Sequence, residues 1–283
     1  MQRKIKVSTI QKAIASHKKK ENTIGFVPTM GALHHGHMSL IQAARKKCDV
    51  VVCSIFVNPT QFNEKKDLKK YPRTLKQDMA LLEKESTDYL FHPGVQEIYP
   101  DGQEEIVDLD LHGLDTLMEG EFRPGHFKGV VQVVKRLLDI IQPDYLFMGQ
   151  KDFQQFTIVQ HMIDTLRIPT ELVVCPTQRE KDGLAMSSRN RRLEPGIRQR
   201  AGIIHKCLTR IKNNMDSTLP SALTKEAIND MRIPDFRPEY VSIVDGRTLK
   251  PIKSFENHDY VVACTAVWAG QVRLIDNMIL KSV

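Results

Sequence analysis

Through the first two thirds of this 283-residue chain, short apolar runs alternate with stretches whose apolar residues recur every three to four positions, a pattern that few folds can satisfy. The runs at 24–27, 49–57, 89–92, 145–147 and 171–175 read as buried strands, and the stretches at 37–47, 74–85, 130–141 and 153–166 read as helices. Such alternation predicts an α/β fold, a doubly wound parallel sheet with helices on both faces. Polar loops follow the strands at 28–36, 58–62, 149–155 and 176–190. In open α/β sheets ligands bind beyond the carboxyl ends of the strands, so the four loops are expected to converge on one crevice. After residue 190 the texture changes. Helical patterns at 195–213 and 222–231 precede strand patterns at 240–244, 260–267 and 271–275, which reads as a smaller C-terminal α+β domain. The expected organisation is a larger domain over 1–176, a polar, glycine-containing hinge over 177–185 and a smaller lid domain over 186–283.

At 41% hydrophobic residues the chain can bury a full core. Apolar runs such as 50–57 are too short to span a bilayer, and Met1-Gln2-Arg3-Lys4-Ile5-Lys6 opens no signal-peptide pattern, so the expected location is the cytoplasm, away from membranes. Cys48, Cys53, Cys175, Cys207 and Cys264 are odd in number and form no C-x-x-C pair. They are expected to be reduced core residues. A net charge of +7 suits either polyphosphate or nucleic acid, or merely a lysine-rich surface. The basic runs at 18–20, 46–47 and 65–66 are short, scattered and free of interleaved aromatics, which favours the surface and no nucleic-acid partner.

The chemistry concentrates in the loops. Over 24–39 an apolar stretch breaks at Pro28 and Gly31 and runs into His34-His35-Gly36-His37. A strand that turns and reopens as a helix aims backbone N–H groups outward, which suits a phosphate. His34 and His37, three apart, lie on one side of a first helical turn; phosphate contact fits them better than a metal pair, because no third ligand is near. Gly36 lets a phosphate approach the backbone, and His35 faces solvent. Asn58 and Gln61 are neutral amides suited to hydroxyls and carboxylates, or parts of an ordinary Asn-Pro turn. Lys151, at the mouth of a helix, can neutralise phosphate, and Asp152 either holds ribose hydroxyls or caps the helix. Met186-Ser187-Ser188-Arg189-Asn190 has the composition of a mobile phosphate clamp, or of a surface turn. The segment at 119–127 reads either as a substrate-side lid or as an irregular connection. Asp78 either approaches a bound magnesium ion or faces water, and its setting favours water.

Six runs, PTMGALHHGH (28–37), SIFVNPTQF (54–62), YPRT (71–74), RPGHF (123–127), GQKDFQQ (149–155) and GLAMSSRN (183–190), together resemble the pantothenate synthetase family, the pantoate:beta-alanine ligases. The resemblance covers nearly the whole chain. It implies a Rossmann-like fold of the nucleotidyltransferase and class I aminoacyl-tRNA synthetase type, whose H-x-G-H signature matches 34–37. It also implies a two-step reaction: ATP and pantoate give a pantoyl-adenylate and pyrophosphate, then the amine of beta-alanine displaces AMP. By the same resemblance Met30, Gly31, Ala32, Leu33, His34, His35, Gly36, His37, Gly149, Gln150, Lys151, Asp152, Gln178, Met186, Ser187, Ser188 and Arg189 line the nucleotide site. Among these, His34, His37, Lys151, Ser187, Ser188 and Arg189 supply donors to the phosphates, with magnesium on the triphosphate. Gln61, Gln155 and Asn58 are assigned to pantoate, and a homodimer is implied. Three positions depart from the family's pattern: Gln178 where its P-T-V-R-E run has valine, Gln77 where an acid precedes Asp78, and Gly246.

Overall fold

The apolar run after Thr23 becomes β2 (Ile24–Thr29), which pairs in parallel with β3 (Val50–Ile55) from Ile24↔Val50 through Thr29↔Ile55. In this computed structural model residues 1–62, 68–69, 71–102 and 107–282 are described, and the basic pair Lys65-Lys66 lies outside them. With β1 (Gln2–Lys4), β4 (Tyr89–Phe91), β5 (Tyr145–Gly149) and β6 (Glu171–Cys175), these strands form a six-stranded sheet ordered β1-β4-β3-β2-β5-β6, parallel at every pairing. The expected parallel α/β sheet therefore forms. Its order reverses at β2, with β3 and β4 on one side and β5 and β6 on the other, so the loops after β2 and β5 flank the switch point.

The chain divides into two compact units: 1–115 with 123–149 and 155–176, and 116–122 with 150–154 and 177–283. The first holds the parallel sheet with α1 (Val7–Lys18), α2 (His35–Lys47), α3 (Leu75–Lys84), α4 (Val95–Ile98) and α6 (His126–Ile141). Its core joins Val27, Leu33, Ile41, Val51, Leu82, Leu90 and Phe147 across sheet and helices. α5 (Glu119–Phe122) belongs to the second unit, and α7 (Phe153–Thr165) begins in it and runs on into the first.

The first unit differs from the sequence pattern in four elements. β2 continues through Pro28 instead of breaking there, because its pairing with β5 ends at Phe26 and the missing N–H of Pro28 deprives that neighbour of nothing. β1, Gln-Arg-Lys, forms against β4 although nothing in it alternates, and α1 buries only Ile10 and Ile14, one turn apart on a polar helix. α6 starts at His126 rather than 130, since Gly125 at φ 81° turns the chain into the helix.

The second unit is an antiparallel sheet, β7 (Phe236–Asp245), β8 (Tyr260–Ala269) and β9 (Val272–Ser282), with α8 (Pro195–Arg200), α9 (Ile203–Asn214) and α10 (Pro220–Asp230). The predicted helix over 195–213 is interrupted at Gly202, where a Cβ would come within 2.6 Å of the Asp182 carbonyl oxygen. Inside this unit the Arg273 guanidinium bonds both oxygens of buried Glu119 at 2.7 Å and also Glu239, while the Tyr240 hydroxyl donates to Glu119 at 2.9 Å. The segment at 119–122 is thereby an ordered part of this unit. Among the described residues no helix is long and apolar enough to cross a membrane.

All five cysteines are buried and unpaired. Burial pushes the Cys53 thiol up to about 12 and those of Cys48 and Cys207 up to about 11. Because the thiolate is the reactive form, the native protein at pH 8 should resist Ellman's reagent and release all five thiols only in denaturant. Prompt reaction of the native protein would place a thiol outside the core.

Candidate active site

Between β2 and α2 the backbone makes two successive left-handed steps, Gly31 at φ 81° and Ala32 at φ 50°. A Cβ at Gly31 would also press to 3.1 Å from Ile55 and 3.2 Å from the Asp78 carboxylate, so glycine is needed for both conformation and space. The turn directs the neighbouring N–H groups of Ala32 and Leu33 at one anionic acceptor. Here the anion is the protein's own. Asp78, 2% exposed, accepts from Ala32 N at 3.0 Å and Leu33 N at 2.8 Å, and from the Thr74 hydroxyl at 3.1 Å. Two expectations are corrected. Asp78 does not face water, and the amides of Ala32 and Leu33 go to that carboxylate rather than outward to a phosphate.

At the start of α2 the histidines do double duty. His34 is the N-cap: its Nδ1 accepts the Gly36 N–H at 3.2 Å, and the His37 Nδ1 accepts the His34 N–H at 3.3 Å. The rings lie with centroids 4.1 Å apart. A ring nitrogen that accepts carries no proton, so each neutral imidazole bears its hydrogen on Nε2. Two N–H donors thus sit together at a helix N-terminus, where the dipole already favours anions. His35 is exposed, as the sequence pattern suggests.

The loop after β3 is clamped to α6. Asn58, wholly buried, donates through Nδ2 to Gly129 O at 3.1 Å and to the Thr60 hydroxyl at 2.9 Å, and accepts the Tyr99 hydroxyl at 3.0 Å. Burial holds the Tyr99 phenol above its usual pKa, keeping it a donor. His126 Nδ1 donates to Gln61 O at 2.9 Å, and a Cβ at Gly129 would collide with Thr60 O at 2.6 Å. Asn58 therefore shapes the loop that presents Gln61, whose Nε2 lies 2.9 Å from Met30 Sδ. Met30 and Gln61, drawn from loops 31 residues apart, are brought together. Gln155 is half-buried at the start of α7.

Apart from Gly149, at the end of β5 in the first unit, the remaining candidates belong to the second unit. Lys151 is partly buried, with its ammonium 3.5 Å from Asp152. Ser187 caps the short 3₁₀ turn Ser188–Arg192 by accepting Arg189 N at 3.2 Å. Arg179 and Ala185 bridge across a hairpin closed by Met186 N donating to Gln178 O at 2.9 Å. The Gln178 side chain is exposed, as is Gln77 in the first unit. Among the described residues no three acidic, histidine or cysteine side chains converge as a metal cage. Sequence reasoning misses the role of Asp78 because 45 residues separate it from the turn it holds. The available signal was the turn's own need for an anion.

Asp78→Asn keeps the shape of the side chain but replaces an acceptor with a donor facing donors. Leaving buried N–H groups unpaired should cost about 1–3 kcal/mol of stability, read as a lowered urea midpoint. An unchanged midpoint would remove Asp78 from this role.

A family model, Pantoate-beta-alanine ligase, matches residues 3–279. The pantothenate synthetase of Bacteroides thetaiotaomicron is 45% identical over 280 residues, covering 98% of both chains. That of Azobacteroides pseudotrichonymphae is 44% identical over 274 residues, covering 96% of this chain and 97% of its own. Among solved structures, pantothenate synthetase from Thermus thermophilus superposes with a TM-score of 0.92 at 38% identity, over 99% of this chain and all of the other. Pantoate-beta-alanine ligase from Francisella tularensis, complexed with beta-gamma ATP and beta-alanine, gives 0.82 at 36% identity over 99% and 98%. With the family's sequence spanning both units and its fold reproduced along the whole chain, this protein belongs to the pantoate-beta-alanine ligase family of enzymes.

Proposed function

We propose that the protein joins pantoate to beta-alanine through a pantoyl-adenylate, using magnesium-bound ATP and releasing pyrophosphate and AMP. The observation that carries this reading is the pair of imidazoles set together at the N-terminus of α2, their Nδ1 atoms accepting backbone N–H groups of its first turn. The Francisella relative's complex with a form of ATP and with beta-alanine supports the same substrates here.

In the first step a pantoate carboxylate oxygen attacks the α-phosphorus and the bond to the β-phosphate breaks. Charge accumulates on phosphate oxygens, so the reaction needs fixed donors rather than a protein nucleophile. His34, His37, Lys151, Ser187, Ser188 and Arg189 supply them. A magnesium ion brought in on the nucleotide's phosphates would add to this charge neutralisation. On the family resemblance, Met30, Gly31, Ala32, Leu33, His35, Gly36 and Gly149 of the first unit and Gln150, Asp152, Gln178 and Met186 of the second are further nucleotide-site residues. Gln61 and Gln155 hold pantoate, and Asn58 keeps Gln61 in place.

In the second step the amine nitrogen attacks the acyl carbon, the acyl–oxygen bond breaks and AMP departs. An unperturbed alkylamine, pKa about 10.4, is neutral in only roughly a thousandth of molecules at pH 7, so the site takes the amine already neutral or passes its proton to the leaving phosphate. Holding amine and adenylate in contact supplies on the order of 7–11 kcal/mol of acceleration. The enzyme is further proposed to work in the cytoplasm as a homodimer, as the family resemblance implies.

Pantoate-dependent ATP–pyrophosphate exchange should occur without beta-alanine. Removing one preorganised donor typically costs about 10²–10³ in rate, so His37→Ala should abolish detectable exchange and Lys151→Ala should reduce it. A folded wild-type protein that shows no exchange would overturn the adenylate route.

A further inference from the structure

Lys151 stands on an irregular loop between β5 and α7. A lysine is a point charge on a flexible stem, so where its ammonium lies depends on what fixes the backbone beneath it. The fixing group is Asn277, on β9, 126 residues away. Its Nδ2 donates to Gln150 O at 2.9 Å and Lys151 O at 2.8 Å, and its Oδ1 accepts from Gln150 Nε2 at 3.1 Å. Both donors and the acceptor of this amide, 1% exposed, are given to the Lys151 loop.

Asn277 is itself held. Asp276, 4% exposed, accepts the Asn277 N–H at 2.8 Å and forms a two-pronged pair with Arg179 at 2.7 and 3.0 Å. Arg179 also donates to Asn277 O at 3.2 Å and to Gly183 O at 3.0 Å, inside the hairpin that leads to Ser187. A planar guanidinium bonded along two edges fixes direction as well as distance.

We propose that Asn277 is a positioning residue for Lys151, and that the Arg179–Asp276 pair sets Asn277 and the hairpin before Ser187 in one register. The inference rests on the phosphate role proposed for Lys151. Only a carboxamide offers two N–H groups to two carbonyls and an oxygen to a third partner, and glutamine, one methylene longer, would carry it out of place, so substitutions at 277 act on Lys151 through its backbone.

A double-mutant cycle in the ATP–pyrophosphate exchange assay tests this. Asn277→Ala should lower the exchange kcat about tenfold to a hundredfold, the scale of a misplaced catalytic group, with the pantoate KM little changed. In a Lys151→Ala background the same change should add less than about twofold, because coupled residues are not additive. Asn277→Asp, which turns a carboxylate toward two carbonyl oxygens, should be at least as impaired as Asn277→Ala. Asn277→Ser, keeping one donor, should recover part of the rate, and it carries the same cycle if Asn277→Ala does not fold. A full Asn277→Ala loss repeated on top of Lys151→Ala, or wild-type exchange in Asn277→Asp, would overturn the proposal. Exchange unaffected by Lys151→Ala would instead remove the phosphate role of Lys151 and this inference with it, a result distinct from a Lys151→Ala loss that Asn277→Ala does not share.

Discussion

The carboxylate of Asp78 closes the turn between β2 and α2, on which the end of the first unit that bears His34 and His37 depends. The left-handed conformation costs Gly31 little but is strained for Ala32, and that strain persists only where the surroundings hold it. A buried charge is costly as well unless its lone pairs are filled. Each cost answers the other, since the turn gathers the N–H groups that the carboxylate needs. The chain therefore leaves β2 in one direction and enters α2 in one register, and His34 and His37 follow from that register.

From there the helix cap and the chemistry become a single arrangement. A serine or aspartate at the N-cap would satisfy the helix equally well. Histidine does so with one ring nitrogen and carries a second besides. Accepting through Nδ1 fixes the tautomer of each neutral imidazole, so local helix energetics select its protonation site. A change that weakens the cap would also loosen the imidazoles.

In the second unit the same logic operates on a longer scale. Arg179, Asp276 and Asn277 form one network, and Glu119, Arg273, Glu239 and Tyr240 form another, each joining segments far apart in the chain. Removing one partner of a buried ion pair leaves an uncompensated charge, which makes such networks strict about geometry. Residues 150–154 and 116–122 are held to the antiparallel sheet by these contacts rather than by apolar periodicity.

The parallel α/β sheet, its strand positions near 24, 50, 89, 145 and 171, the smaller α+β block and the turn that reopens as a helix at the H-x-G-H run were legible because burial period and turn residues are local properties of the chain. β1 escaped notice because an edge strand of Gln, Arg and Lys has no alternation to read, and the start of α6 because one left-handed glycine decides it. The candidate residues were visible by type. Their partners were not. That Asp78 lies inside the protein, that Asn58 spends its amide on α6 and Tyr99, and that Asn277 carries the Lys151 loop depend on hydrogen bonds between segments tens of residues or more apart. The sequence by itself determined the layers and the chemistry available at their loops, through short-range periodicity. Only the tertiary structure decided which polar group each buried donor meets, because that pairing is settled by three-dimensional proximity and by the cost of leaving any of them unsatisfied.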